Sequence, residues 1–147
     1  MIAVIQRCSQ GRVTVSDKVV GEISHGLVIL LGVQKNDTEN DAEFLVNKIC
    51  GLRIFNDEND KMNLSIKDVN GSALVISQFT LCGDTKKGRR PSFIKAAPPD
   101  DGNRLYEYFM SEMKKGGVPI ESGEFGAMMN VELVNNGPVT FVLNSKD

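Results

Sequence analysis

The stretch Ser77-Gln78-Phe79-Thr80 places two hydroxyls and a carboxamide around one aromatic ring, directly after the apolar run Ala73-Leu74-Val75-Ile76. That run is short and β-branched enough to be a buried strand, so the polar group falls at a strand terminus. Such a terminus can aim backbone N–H groups and the Thr80 hydroxyl at one carbonyl, which is how an oxyanion is held during acyl transfer. The plainer reading is that Ser77 and Thr80 bond the local backbone. The chain then leaves through Gly83-Asp84 into Lys86-Lys87-Gly88-Arg89-Arg90-Pro91. A cationic loop beside a strand end suits a site at a sheet edge, with nucleic-acid phosphates as ligands; the alternative is a solvated charge run. A second feature, Asn135-Asn136-Gly137-Pro138, is a strong turn signal between two apolar runs. It reads either as a hairpin turn or as a rigid loop presenting carbonyls to a ligand.

Several chemistries are excluded. Ser–His–Asp catalysis needs a base, and His25 is the only imidazole, set between Ser24 and Gly26 in a turn. Cys8, Cys50 and Cys82 are odd in number and far apart, which argues against a disulfide framework and a zinc site. Cys82 adjoins the polar strand end and could act as a thiol nucleophile, but nothing brings His25 to it. No GxxxxGK[ST] or GxGxxG occurs, so a nucleotide-phosphate loop is not expected. The acidic turn Asn56-Asp57-Glu58-Asn59-Asp60 lacks the spaced ligands of an EF-hand and reads as solvated.

The elements around these residues follow from pattern. At 147 residues, 41% hydrophobic and 24% charged, one soluble domain (1–147) with a real core is expected. A formal charge of −2 gives no global pull toward nucleic acid, so any such contact rests on the local cations at 86–90. Ile2–Ser24 reads as three short strands with turns at Gly11 and at Asp17-Lys18, and Leu27–Val33 as a central strand covered on both faces. A first helix starts at Asp37 or Thr38, carries Ala42, Leu45, Val46 and Ile49, and stops at Gly51. Residues 73–81 form the central strand. Pro98-Pro99-Asp100-Asp101 opens a second helix with a stripe of Leu105, Tyr108, Phe109 and Met113, ended by Gly116-Gly117. Val118–Ser122 is an edge strand, because Pro119 cannot donate to a ladder, and 130–134 and 139–143 are separate strands. Two helices among about eight strands give an α/β domain with antiparallel pieces. No run is long enough to span a membrane, and a strand pattern starting at Met1 leaves no signal peptide, so a cytoplasmic location is expected.

These stretches together resemble the D-aminoacyl-tRNA deacylase family, nearly end to end. The matching pieces are Val4-Ile5-Gln6-Arg7, Leu52-Arg53-Ile54-Phe55, Ser77-Gln78-Phe79-Thr80-Leu81, Lys87-Gly88-Arg89-Arg90-Pro91-Ser92-Phe93, Gly126-Ala127-Met128-Met129 and Asn136-Gly137-Pro138-Val139-Thr140. Each is weak alone; in this order and at this length they are specific. The resemblance implies a three-layer α/β/β fold with largely antiparallel, barrel-like sheets and two main helices. It implies hydrolysis of the ester joining a D-amino acid, or glycine, to the 3′ end of tRNA, as translation quality control, without cofactor or metal. It implies a homodimer whose active site spans both subunits. Ser77, Gln78, Phe79 and Thr80 would be the catalytic segment, and Lys86, Lys87, Arg89 and Arg90 would meet tRNA. Gly137-Pro138 would be a cis-proline motif inserted into the partner's pocket and held by Arg7, with Met129 also binding substrate. An aminoacyl ester is already activated and has a vicinal ribose hydroxyl, which accounts for the missing catalytic His or Cys. A non-catalytic RNA-binding module using the 86–90 loop is the competing reading.

Overall fold

The computed structural model describes residues 1–147. Its centre is β3 (Gly26–Gly32), an almost wholly buried strand. β3 pairs antiparallel with β1 (Ile2–Val15), from Ile2 opposite Gly32 to Cys8 opposite Gly26. On its other side it pairs parallel with β6 (Ser72–Ser77), from Gly26 opposite Ser72 to Leu31 opposite Ser77. β6 continues to β7 (Ile120–Ser122), also parallel. β1 carries β2 (Lys18–Ile23) and the long β8 (Asn130–Asn144), both antiparallel. The six strands form one sheet in the order β2-β1-β3-β6-β7, with β8 on β1.

Side chains alternate across this sheet. Leu27, Ile29, Leu31, Ala73 and Val75 join the main core of 23 buried residues. That core also takes Leu45, Val46 and Ile49 from α1 (Glu39–Gly51) and Leu105, Phe109 and Met113 from α2 (Pro99–Lys115). Val28, Leu74 and Ile76 face the other way, into a core of six that includes Cys8, Val13 and Ile23. The sheet curls around this second core. Gly21 of β2 lies so near β7 that a Cβ there would stand 2.3 Å from the Ser122 carbonyl oxygen. Helices, sheet and curled return give the α/β/β layering with a nearly closed barrel.

Several expectations need correction. Gly11 is not a turn: β1 runs through it unbroken, and a Cβ there would meet Val28 Cγ2 at 2.9 Å. The one turn in this stretch is the second that the sequence suggested, displaced by one residue to Ser16 and Asp17, which take positive φ of 49° and 65°. The central strand ends at Ser77, and Phe79–Cys82 is a 3₁₀ turn. On α2, Tyr106 rather than Tyr108 is the buried tyrosine, and its hydroxyl donates to Val75 O at 2.9 Å. Residues 55–64 form a small hairpin, β4 (Phe55–Asn56) and β5 (Met62–Leu64), and Asp57 accepts the Asn59 and Lys61 N–H groups across its turn.

The start of α1 lies where the sequence placed it. Thr38 is its N-cap, and Asp41 Oδ2 accepts the Thr38 N–H at 2.8 Å. Asp37 does another job, accepting the Gln34 N–H at 2.7 Å and pairing with the Met1 ammonium at 2.9 Å. Asp41 also takes Lys146 Nζ at 2.8 Å and the Ser145 hydroxyl at 2.7 Å, which ties the last residues to the first turn of α1.

Candidate functional site

β6 delivers Ser77 to the C-terminal end of a parallel strand pair. There the Gln78 N–H still bonds Leu31 O at 2.8 Å. The chain then tightens into the 3₁₀ turn, which rests on Gly32 of β3. A Cβ at Gly32 would sit 3.0 Å from Leu81 Cβ and 3.1 Å from Gln78 O, so the missing side chain lets the turn settle on the strand. The bonds of the turn begin with Leu81 N–H to Gln78 O at 3.2 Å, which leaves the Phe79 and Thr80 N–H groups at its open end. Gln78 Nε2 donates to the Thr80 hydroxyl. Ser77 and Gln78 are half-buried; Phe79 and Thr80 are exposed.

A cavity of about 560 Å³ opens over Ser77, Gln78 and Phe79. Its other walls are Ala96, Ala97 and Pro99 on one side and Phe125–Met129 with Val131 on the other, so most of its lining is apolar. The Ala96–Ala97 wall is fixed by main-chain bonds, Ala97 N–H to Val33 O at 3.0 Å and Lys35 N–H to Lys95 O at 2.9 Å. An apolar cavity with a few convergent polar groups is the usual form of a small-ligand site. A hollow of about 540 Å³ also lies along β1 and β8, lined by Gln10, Arg12, Glu22 and Glu132 among others. It is crossed by the exposed Arg12–Glu132 ion pair, each partner of which already satisfies the other. The cavity over the Ser77–Phe79 segment is the better candidate, because it sets the 3₁₀ turn with its open end, and a carboxamide, beside an apolar wall.

The cationic loop leaves the site directly. Asp84 and Ser92 exchange backbone bonds at 2.7 and 2.9 Å and close the loop between them. Phe93 then packs edge-on against Phe79, ring centroids 5.0 Å apart. Lys86, Lys87, Arg89 and Arg90 are all exposed, and none of them takes part in an ion pair.

Gly137 and Pro138 lie elsewhere. The sequence suggested a hairpin turn between two strands, but β8 is one strand, paired to β1 on both sides of the motif. Thr140 faces Gln6 and Asn135 faces Cys8, so four residues, Asn136–Val139, stand opposite Arg7 alone. The motif is the tip of this bulge, and the Gly137–Pro138 peptide is cis. Arg7 is buried beneath it. Its Nε donates to Asn136 O at 3.0 Å, and Nη1 donates to Ile54 O at 2.8 Å and Asn56 Oδ1 at 3.1 Å.

The chain therefore brings Ser77, Gln78, Phe79 and Met129 to one cavity, with Thr80 on the same turn, but Arg7, Gly137 and Pro138 are not part of its lining. Sequence reasoning missed the Ala96–Ala97 and Phe125 walls, and also Asn56 and Asn135 around Arg7. No local signal marks them, since each acts through a partner distant in sequence.

The thiol alternative fails on geometry. Cys82 is buried, and its Sγ donates to Val33 O at 3.5 Å. Burial pushes its pKa up; the nearby Met1 ammonium opposes that rise and Asp37 adds to it. His25 bonds Val69 O at the opposite end of β3, roughly 20 Å away at the rise of an extended strand.

Residues 4–144 match the family model described as D-Tyr-tRNA(Tyr) deacylase. A D-aminoacyl-tRNA deacylase of Thermotoga petrophila is 55% identical over 145 residues, covering 99% of this chain and 97% of that protein. One from Geobacter sulfurreducens is 56% identical over 146 residues, covering 99% and 96%. Among solved structures, a c-Myc DNA unwinding element binding protein superposes with a TM-score of 0.91 at 37% identity, covering 98% of each chain. A probable eukaryotic D-amino acid tRNA deacylase superposes with a TM-score of 0.83 at 19% identity, covering 97% of this chain and 98% of that one, a likeness of fold.

Proposed function

The chain belongs to the D-Tyr-tRNA(Tyr) deacylase family, and from that premise we propose that it hydrolyses the ester bond of D-aminoacyl-tRNA at the cavity over Ser77–Thr80. It is an enzyme, a D-aminoacyl-tRNA deacylase. Water adds to the ester carbonyl, the carbon–oxygen bond to the ribose breaks, and the ribose oxygen takes the proton. The Phe79 and Thr80 N–H groups stabilise the oxyanion that forms on the carbonyl oxygen. Gln78 holds the Thr80 hydroxyl in place. No strong nucleophile is required, because the ester is already activated and the vicinal ribose hydroxyl assists.

The observation that supports this reading most directly is the pairing of open N–H groups with an apolar cavity at the end of β6. Gly137 and Pro138 do not line that cavity in their own chain. In the proposed enzyme a second copy supplies them, so the working site spans a homodimer. Met128 is 93% exposed beside the cavity, and Val134 and Val142 are exposed on β8 on either side of the bulge, apolar surface that suits a covering subunit.

Handedness is then read by main chain. The Gly137 and Pro138 carbonyls accept hydrogen bonds from the substrate α-ammonium, and such charge-assisted bonds are strong ones. With ammonium and ester both fixed, an L side chain swings into this backbone, a D side chain points away, and glycyl-tRNA has nothing to clash. Selection is rejection of L rather than affinity for particular D side chains. The basic loop at 86–90 meets tRNA phosphates. Incubating the protein with matched D- and L-aminoacyl-tRNA and following ester loss tests the proposal: D and not L is cleaved. Binding of both without turnover would instead favour an RNA-binding module.

A further inference from the structure

The bulge that carries Gly137 and Pro138 has an internal brace distinct from Arg7. Asn135 sits at its near end, where β8 departs from β1. Its Nδ2 donates to Arg7 O at 2.9 Å, across to β1, and to Val139 O at 3.2 Å, across the neck of the bulge. The carboxamide thus replaces the ladder bonds that β8 gives up when it leaves its partner. Both acceptors are carbonyl oxygens, so only the amide nitrogen can face them, and that fixes the orientation of the group. Oδ1 is thereby turned to the inside of the bulge. It comes so close beneath Gly137 that a Cβ on that residue would stand 2.6 Å from it, with Asn135 Cγ at 3.4 Å. Nothing else lies nearer than Val139 N at 3.5 Å.

We propose that Asn135 is the positioning residue that sets the Gly137 and Pro138 carbonyls, and that position 137 must be glycine because the Asn135 carboxamide occupies the space below it. The inference rests on those carbonyls acting as the handedness filter. It gives the glycine a second reason: besides letting backbone approach a ligand, it leaves room for the brace that aims that backbone. A filter built on rejection is sensitive to placement, since a shift of about 1 Å can cost on the order of 100-fold in a positioned reaction.

The test uses single-turnover deacylation of matched D- and L-aminoacyl-tRNA by Asn135→Ala, Asn135→Asp, Gly137→Ala and the Asn135→Ala/Gly137→Ala double variant, with circular dichroism to confirm folding. Asn135→Ala is expected to slow D-substrate turnover by about 10–100-fold and to shrink the D-over-L ratio by at least about tenfold. Asn135→Asp should do more, because a carboxylate would face the Arg7 and Val139 carbonyl oxygens. If it does not fold, Asn135→Ala, which adds no charge, carries the test alone. Gly137→Ala should damage the native background yet add less than about threefold on top of Asn135→Ala, as coupled neighbours do. A folded Asn135→Ala protein with an unchanged D-over-L ratio, while Gly137→Ala collapses that ratio, would overturn the role of Asn135 and leave the filter standing. A full Gly137→Ala penalty on both backgrounds would overturn the steric half. An unchanged ratio in Gly137→Ala itself would remove the filter, and the inference with it.

Discussion

Thr80 shares its hydroxyl with the Gln78 carboxamide, and no imidazole, thiol or carboxylate is bonded to it. A threonine hydroxyl without a base is a poor nucleophile at neutral pH. Thr80→Ala should therefore retain turnover within about tenfold of the native rate, the cost of one ordinary hydrogen bond. Single-turnover assays would show this, and trapping an acyl ester on Thr80 would refute it. Cys82 is expected to be chemically silent. Burial holds its pKa above the ordinary value, so little thiolate is present at neutral pH. Cys82→Ala should keep deacylation within a few-fold while lowering the unfolding midpoint through the small cavity it leaves. Loss of activity in a folded Cys82→Ala protein would restore thiol chemistry.

At the scale of elements, the clasp between the last residues and α1 sets an acid limit. Burial alone would raise the Asp41 pKa, but the Lys146 ammonium, the Ser145 hydroxyl and the Thr38 N–H together hold it well below the usual carboxylate range. A carboxyl whose pKa is depressed by folding stabilises the fold above its unfolded value of about 4 and loses that contribution as pH falls, because the unfolded chain takes up the proton first. Acid titration should thus show stability declining below about pH 4, and Lys146→Ala should move the acid-unfolding midpoint upward. An unmoved midpoint would mean the ion pair is too well solvated to matter. The elements were unevenly legible in sequence. Leu27–Val33 and the start of α1 at Thr38 were readable because unbroken apolar runs and capping residues are local signals. Gly11 misled because a glycine that admits Val28 looks the same as a glycine that turns a chain. Asn135-Asn136-Gly137-Pro138 misled similarly: its turn chemistry is real, but both flanking segments return to β1, and pairing between distant strands leaves no mark on the motif itself. Asn135 and Asn56 were invisible because Arg7, the partner both of them meet, is remote in sequence.

For the whole molecule, Gly137 and Pro138 lie outside the cavity of their own chain, and the proposed composite site predicts that activity depends on oligomeric state. Light scattering should find a particle twice the 16.1 kDa of one chain, and activity per chain should fall on dilution to where it dissociates. A fully active monomer would refute the composite site. The exposed cations of the 86–90 loop stand on a chain of net charge −2, so their field is local. Replacing Lys86 and Lys87 together by alanine should weaken tRNA binding and flatten its salt dependence by roughly one unit of slope per lost phosphate contact. An unchanged slope would remove the loop from the interface.

Gly21 has a consequence beyond packing. Because it carries no side chain, β2 and β7, the two ends of the strand path, come close together at Ser122. Unpaired strand edges are templates on which other chains can add, and a narrow seam leaves little room for an added strand. A valine at this position would act as a wedge, since its Cβ would have to enter the space of the Ser122 carbonyl. The damage would then surface less as lost catalysis than as insolubility: chains whose barrels gape at one seam could recruit one another strand by strand into cross-β aggregates. On this view the glycine is a safeguard on the chain's behaviour in a crowd, placed on a strand that supplies no residue to the candidate cavity.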